Sequence, residues 1–93
     1  MNPLLNLQLN VSFAERSARY VSYVYAQERL ARAFAAEMNG SGEGPSGFEF
    51  EQMAAALTLS HNADVAYLAV LKQAVNELID DARRSSRWRA ARS

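Results

Sequence analysis

Cysteine is absent from this 93-residue chain, and histidine and tryptophan each occur once. The lack of cysteine excludes disulfide bonds, thiolate zinc sites and thiol catalysis. No apolar run approaches the roughly 20 residues that a helix needs to cross a bilayer. The N-terminus has no basic stretch ahead of an apolar one, so it does not look like a secretory signal. We therefore expect a cytoplasmic protein with no membrane partner.

Catalytic patterns are missing as well. A single histidine, no cysteine and no Gly-x-Ser-x-Gly elbow leave no recognisable nucleophile with its base. The Gly-rich stretch 39–47 is not a phosphate-binding loop, because Phe48 and Glu49 follow its last glycine where lysine and serine or threonine are required. The sequence therefore predicts no enzyme, no cofactor and no metal ion.

What the chain does contain is apolar residues and unevenly distributed charge. Apolar residues make up 49% of it, enough for a folded single domain over residues 1–93. The formal charge is +1 over residues 1–40, −6 over 41–82 and +5 over 83–93, so a basic tail follows an acidic body. Arginine outnumbers lysine nine to one, a composition that points to a bacterial or phage genome.

The first residues alternate between apolar and polar side chains. Leucine or valine occupies positions 5, 7, 9 and 11, and asparagine or glutamine occupies positions 6, 8 and 10 between them. A period of two is typical of a strand with one buried face, so we predict a strand over residues 4–11. A single strand needs a partner for its backbone groups, and no second strand is evident. A second copy of the chain is the expected partner.

From Ser12 onward the pattern is helical. Ser12 and Glu15 fit a capping box and predict helix 1 over residues 12–38, with a broad aromatic stripe. A Gly-rich loop over 39–47 ends this helix. Helix 2 is predicted over 48–84, with Ser46 and Glu49 as its capping box; it carries a leucine-rich heptad seam.

Weak helix formers near 58–61 leave a kink in helix 2 as the alternative to a continuous helix. A basic tail occupies 85–93. The predicted fold is therefore mostly α: a short N-terminal strand followed by a long antiparallel two-helix hairpin. The aromatic stripe of helix 1 is too wide for one partner helix, so we expect a homodimer that forms a four-helix bundle.

Three polar residues interrupt the apolar stripes: Gln27, His61 and Asp64. Counting back from the loop brings residue 27 level with residues 59–61, so we predict that the three form a structural polar layer that selects register and oligomeric state. Two alternatives stay open. In the first, these residues are solvated at an edge or a kink. In the second, they form a metal or acid–base site, although the chain lacks the second Glu-x-x-His motif of di-metal bundles.

The basic tail and Tyr25 are the candidate partner-binding residues. In the tail these are Arg83, Arg84, Arg87, Trp88 and Arg89. Arginines with an interleaved tryptophan suit an acidic protein groove or a nucleic acid. The plain alternative is a solvated helix end whose cations oppose the helix dipole.

The sequence thus favours a non-enzymatic protein–protein interaction module, such as a small bacterial or phage adaptor, inhibitor or chaperone-like protein. The alternative is a small dimeric DNA-binding transcriptional regulator that uses the N-terminal strand or the Arg-rich tail. A nucleic-acid partner is not favoured, because the body of the chain is acidic and a nucleic-acid footprint needs a basic face.

Overall fold

The fold is a two-helix antiparallel hairpin. The structure, a computed structural model, describes residues 2–92, and for residues 88 and 90–92 it describes the backbone alone. Helix α1 spans Pro3–Met38 and helix α2 spans Gly47–Arg92. The Cα atoms extend over 79 × 20 × 14 Å, so the hairpin is a long, thin slab. Among residues 2–92 there is no strand.

The predicted strand over 4–11 is wrong, because these residues form the first turns of α1. The Asn2 side chain caps the helix by accepting from the backbone N–H of Leu4 at 2.9 Å, and Pro3 occupies the first helical position, where its missing N–H costs nothing. Leu5 and Leu9, four residues apart, lie on the same side of α1 because the segment is helical, and α2 packs against this side.

Ser12 is accordingly not a helix cap. Its hydroxyl donates to the backbone carbonyl of Gln8 at 2.7 Å, the usual bond of a serine inside a helix. The predicted capping box at Ser46 is confirmed: the Glu49 backbone N–H donates to the Ser46 hydroxyl, and the Glu49 carboxylate accepts from the Ser46 backbone N–H at 3.3 Å.

The end of α1 is also as predicted. Gly40 has φ +72°, and its N–H donates to Glu37 while the N–H of Ser41 donates to Ala36 at 2.8 Å. This pair of bonds is the Schellman motif, which needs a residue with positive φ after the helix. The chain then turns through residues 41–46 into α2.

Helix α2 is longer than predicted and has no break near 58–61. The helix is continuous through these residues, and the Thr58 hydroxyl donates to the Ala54 carbonyl at 3.1 Å within it. It also continues through the predicted basic tail as far as Arg92. Ser93 lies outside the described residues.

The two helices meet along a seam of α2 in which alanine is the commonest residue. Of the described residues four are buried: Leu5, Leu30, Ala63 and Ala74. On α2 the inward positions recur at alternating steps of four and three residues and include Ala56, Ser60, Ala63, Tyr67, Val70 and Ala74. Small side chains let the two backbones approach closely, so this seam, rather than the leucine-rich one, faces α1.

The register of the hairpin is fixed by contacts along its length. Arg16 pairs with Asp64 at 2.6 Å, and the Asn2 backbone N–H donates to Glu77 at 2.6 Å. The paired part of α2 therefore ends near Glu77. The remaining residues, 78–92, extend past the start of α1 by about 22 Å at 1.5 Å per residue.

Candidate functional site

The leucine-rich seam of α2 faces outward. Its members keep about half of their surface exposed; they are Phe50, Leu57, Leu68, Val75 and Leu78. Together with Ala54, His61, Asp64 and the half-buried Leu71 they form a row with the same alternating spacing of four and three residues as the inner seam, one position further along the helix. This row, which His61 and Asp64 interrupt, has no partner helix within the described residues.

Three aromatic residues of α1 lie on the same side of the hairpin. Tyr20 of α1 and Leu57 of α2 line the same groove, so these two residues lie on the same side of the hairpin. Phe13 precedes Tyr20 by seven residues and Phe34 follows it by fourteen, so both share its side of α1. The Phe34 ring also meets the Phe50 ring edge-on, with centroids 6.0 Å apart.

These eight residues define what we call the apolar face: Phe13, Tyr20, Phe34, Phe50, Leu57, Leu68, Val75 and Leu78. Their exposed fractions lie between 44% and 59%. Isolated exposed apolar residues are ordinary on protein surfaces, whereas large exposed apolar patches are typical of interaction sites. Here the polar residues of the groove between Tyr20 and Leu57 interrupt the apolar face at its centre.

The opposite side of the hairpin is different in character. Its groove is lined by Arg19, Ser22, Ala26, Arg29, Gln52, Ala55, Ala56 and Leu59. We call this side the polar face. Large apolar side chains also stay exposed elsewhere on the hairpin, among them Leu7, Val11 and Val65, so the apolar face is distinguished by its heptad spacing rather than by composition alone.

The groove in the apolar face is open and has a polar centre. It has a volume of about 550 Å³ and is lined in part by Ser17, Ser60, His61 and Asp64. Asp64 accepts from the Arg16 guanidinium, which also lies 5.2 Å from the centroid of the Tyr67 ring. Both members of the ion pair stay about 40% exposed. Such a pair contributes at most about 1 kcal/mol while it is solvated.

Two of the three residues predicted for the polar layer lie together. The structure places His61 and Asp64 in the same groove, but it places Gln27 elsewhere. Ala26 and Ala55 line one groove on the polar face, so residue 27 is level with residue 54 rather than with residues 59–61. The offset from His61 is about 10 Å along the helix axis.

Sequence reasoning missed Arg16 as the partner of Asp64. The count back from the loop places Arg16 level with about residue 71 rather than with Asp64, because it assumes that the two helices pair symmetrically about the loop.

The candidate partner-binding residues lie away from the apolar face. Tyr25 is 61% exposed on the outer side of α1. Arg83, Arg84, Arg87 and Arg89 are exposed on the part of α2 that extends past α1, and Arg84 pairs with Asp81 at 2.7 Å. The side chain of Trp88 lies outside the described part of the structure. Thus the structure does not bring Tyr25 and the arginines into one site.

Within residues 2–92, no helix is long and apolar enough to cross a membrane, and no three acidic or histidine side chains converge as metal ligands would. Neither a protein-family model, nor a curated protein, nor a solved structure matches the chain.

Proposed function

We propose that this chain is a non-enzymatic protein–protein interaction module, a small bacterial or phage adaptor, inhibitor or chaperone-like protein that acts as a helical-hairpin scaffold. The observation that carries the proposal is the apolar face. The described part of the hairpin buries four residues, whereas its apolar face exposes eight large apolar side chains.

The magnitude of the exposed surface supports this proposal. Burying the exposed half of a leucine or phenylalanine contributes about 1 kcal/mol, so covering the eight residues of the apolar face contributes about 8 kcal/mol per chain. A whole domain has a free energy of unfolding of only about 5–15 kcal/mol. Covering this face is therefore comparable to the entire stability of a small domain.

The simplest cover is a second copy of the chain. Two hairpins packed through their apolar faces form a four-helix bundle, in which each helix contacts its own hairpin partner through one seam and the other copy through the next. A chain of this size often completes its core by oligomerisation. The bundle then presents Tyr25 and the arginines of α2 on its outside for further partners.

Light scattering on a sizing column tests this proposal, with Leu68→Lys and Leu59→Lys as matched variants. Both leucines lie on α2 and are exposed to a similar extent, 51% and 46%, but Leu68 is on the apolar face and Leu59 is on the polar face. We expect a dimer for the wild type and Leu59→Lys, and a monomer for Leu68→Lys. A monomeric wild type, or equal effects of the two variants, would contradict the proposal.

The second candidate function is a DNA-binding regulator, and the arginine-rich end of α2 is the observation that favours it. The route through an N-terminal strand no longer applies, since residues 4–11 are helical. The part of α2 past Glu77 carries five arginines and stands clear of α1. Phosphate neutralisation makes affinity fall steeply with salt. Retardation of duplex DNA at low salt that Arg87→Ala with Arg89→Ala abolishes would favour this function, and no retardation by the wild type would remove it.

A further inference from the structure

The end of α2 carries an open groove whose lining is mostly arginine. The groove has a volume of about 280 Å³ and is lined by Asp80, Arg83, Arg84 and Arg87. The guanidinium of Arg84 donates to Asp81 at 2.7 Å, whereas Arg83 and Arg87 have no ion pair among the described residues. Since they are four residues apart, Arg83 and Arg87 are neighbours on one side of the helix. Two guanidinium groups that can still bind an anion therefore lie side by side.

An apolar side chain continues the line of these two arginines toward the hairpin. Ile79 precedes Arg83 by four residues and is 44% exposed. Ile79, Arg83 and Arg87 thus share one side of α2, and we call these three residues the docking stripe. Exposed apolar side chains next to arginine are typical of protein interfaces, where arginine is enriched and apolar residues fill the centre.

The docking stripe lies beyond the part of α2 that α1 covers. The hydrogen bond from the Asn2 backbone N–H to Glu77 marks the end of the paired part, and residues 78–92 extend past it as one helix. A helix of about 15 residues without a neighbouring helix is only marginally stable in water. A partner that packs along the stripe therefore also stabilises the helix that presents it.

We infer that the docking stripe binds an acidic segment of a partner protein, one that presents two carboxylates to Arg83 and Arg87 and an apolar side chain to Ile79. The inference rests on the proposed role as an interaction module and specifies the chemistry of one partner. Guanidinium and carboxylate groups form paired, charge-assisted hydrogen bonds. Two glutamates four residues apart on a helix have the same spacing as the two arginines.

The arrangement of charge favours a protein over a nucleic acid. Residues 78–89 hold four arginines and two aspartates. Arg89 follows Arg87 by two residues, about 200° around the helix, so it does not extend the row of cations along the groove. Asp80 lines the same groove and repels phosphate. A duplex presents long rows of phosphates that several cations on one side must neutralise, whereas a pair of carboxylates needs only the two free arginines.

Fluorescence anisotropy with two labelled probes tests the inference. The first probe is a synthetic helical peptide of about 16 residues, with two glutamates four residues apart and a leucine one turn before and one turn after them, so that either direction of packing fits. The second is a duplex DNA of about 16 base pairs, titrated under the same conditions at about 50 mM and about 200 mM salt.

Arg87→Gln and Arg89→Gln are matched variants for the charged contact. Both arginines are exposed near the end of α2, and Arg87 lines the groove whereas Arg89 lies on the other side of the helix. We expect the dissociation constant of the peptide to rise about threefold or more for Arg87→Gln and by less than about 1.5-fold for Arg89→Gln. Equal effects of the two variants would overturn the inference.

Ile79→Ala and Val65→Ala test the apolar contact. Both residues are β-branched and half-exposed on α2, but Val65 lies two helical repeats of seven residues away from the stripe. We expect the peptide to bind about threefold more weakly to Ile79→Ala and equally well to Val65→Ala, with duplex binding unchanged in both. Equal affinity of the peptide for Ile79→Ala and the wild type would contradict a protein contact at Ile79.

The remaining outcomes separate the inference from its alternatives. No binding of the peptide by the wild type overturns it. Tighter binding of the duplex than of the peptide at both salt concentrations, with equal losses for Arg87→Gln and Arg89→Gln, assigns the arginines to nucleic acid instead. Because the stripe lies outside the apolar face, a dimer that does not bind the peptide overturns this inference alone, and a monomeric wild type that binds it overturns the proposed dimer alone.

Discussion

Replacing Leu57 and Leu59 separately by alanine measures what covers each face of the hairpin. The two residues are an internally matched pair, since they share a helix and residue type and are 47% and 46% exposed. They lie in the grooves of the apolar face and the polar face respectively. In an isolated hairpin each substitution removes a half-buried side chain and lowers the free energy of unfolding by about 1 kcal/mol. Any difference between the two losses in free energy of unfolding therefore reports a partner surface that covers one of the two residues.

In the proposed bundle Leu57 becomes fully buried, while Leu59 remains at the surface. A buried leucine replaced by alanine costs about 2–5 kcal/mol, so we expect about 3 kcal/mol for Leu57→Ala and about 1 kcal/mol for Leu59→Ala. The small gain in helix propensity is the same in both and cancels.

Urea denaturation followed by far-ultraviolet circular dichroism measures these values. Because association stabilises only the folded chain, the midpoint of the wild type should rise with protein concentration, and that of Leu57→Ala should be lower at every concentration. Equal losses of about 1 kcal/mol for the two variants, together with midpoints that do not depend on concentration, would refute the reasoning that the apolar face is covered.

Three further predictions follow from single contacts, each measured by thermal or urea denaturation. Asn2→Ala removes the cap of α1 and should cost about 1 kcal/mol, whereas Asn2→Ser should cost much less. Gly40→Ala should cost about 1 kcal/mol through its φ of +72° alone, because no atom lies within 4 Å of an added Cβ. Removing residues 83–93 should leave the unfolding midpoint nearly unchanged, because the contacts between α1 and α2 end at the hydrogen bond from Asn2 to Glu77. A large drop in the midpoint would mean that the tail packs on the hairpin.

The signals at the ends of the elements were readable from the sequence. Asn39 and Gly40 stop α1, and Ser46 and Glu49 start α2, because caps and turns depend on a few neighbouring residues. The hairpin followed from these signals together with the helical period on either side of them. Local chemistry of this kind does not depend on what else the chain contacts.

The N-terminal residues were misread because a short alternating segment fits two periods. Leu5 and Leu9 satisfy a strand when read with Leu7, and they satisfy a helix when read with the later inward positions. The deciding signals were Asn2 and Pro3, which begin a helix three residues earlier than the alternation begins. An isolated strand without a partner also conflicts with the rest of the chain, whereas a longer α1 does not.

Which seam of α2 faces α1 was not readable at all. The leucine-rich and alanine-rich seams have identical spacing, and sequence reasoning gives priority to the more hydrophobic one. The burial of Ala63 and Ala74 shows that the alanine-rich seam is the one that faces α1. The register differs as well: residue 27 lies level with residue 54, so Gln27 does not meet His61.

The thinness of the slab has a consequence for how the sequence can vary. A body whose Cα atoms span 14 Å in one direction has almost no residue more than one side chain away from a surface. A saturation scan of such a chain should therefore not show the usual contrast between an intolerant interior and a tolerant exterior. Intolerance should instead follow one broad side, so that Leu57 resists substitution as a core residue does, while Leu59, two positions away on the same helix, accepts polar replacements.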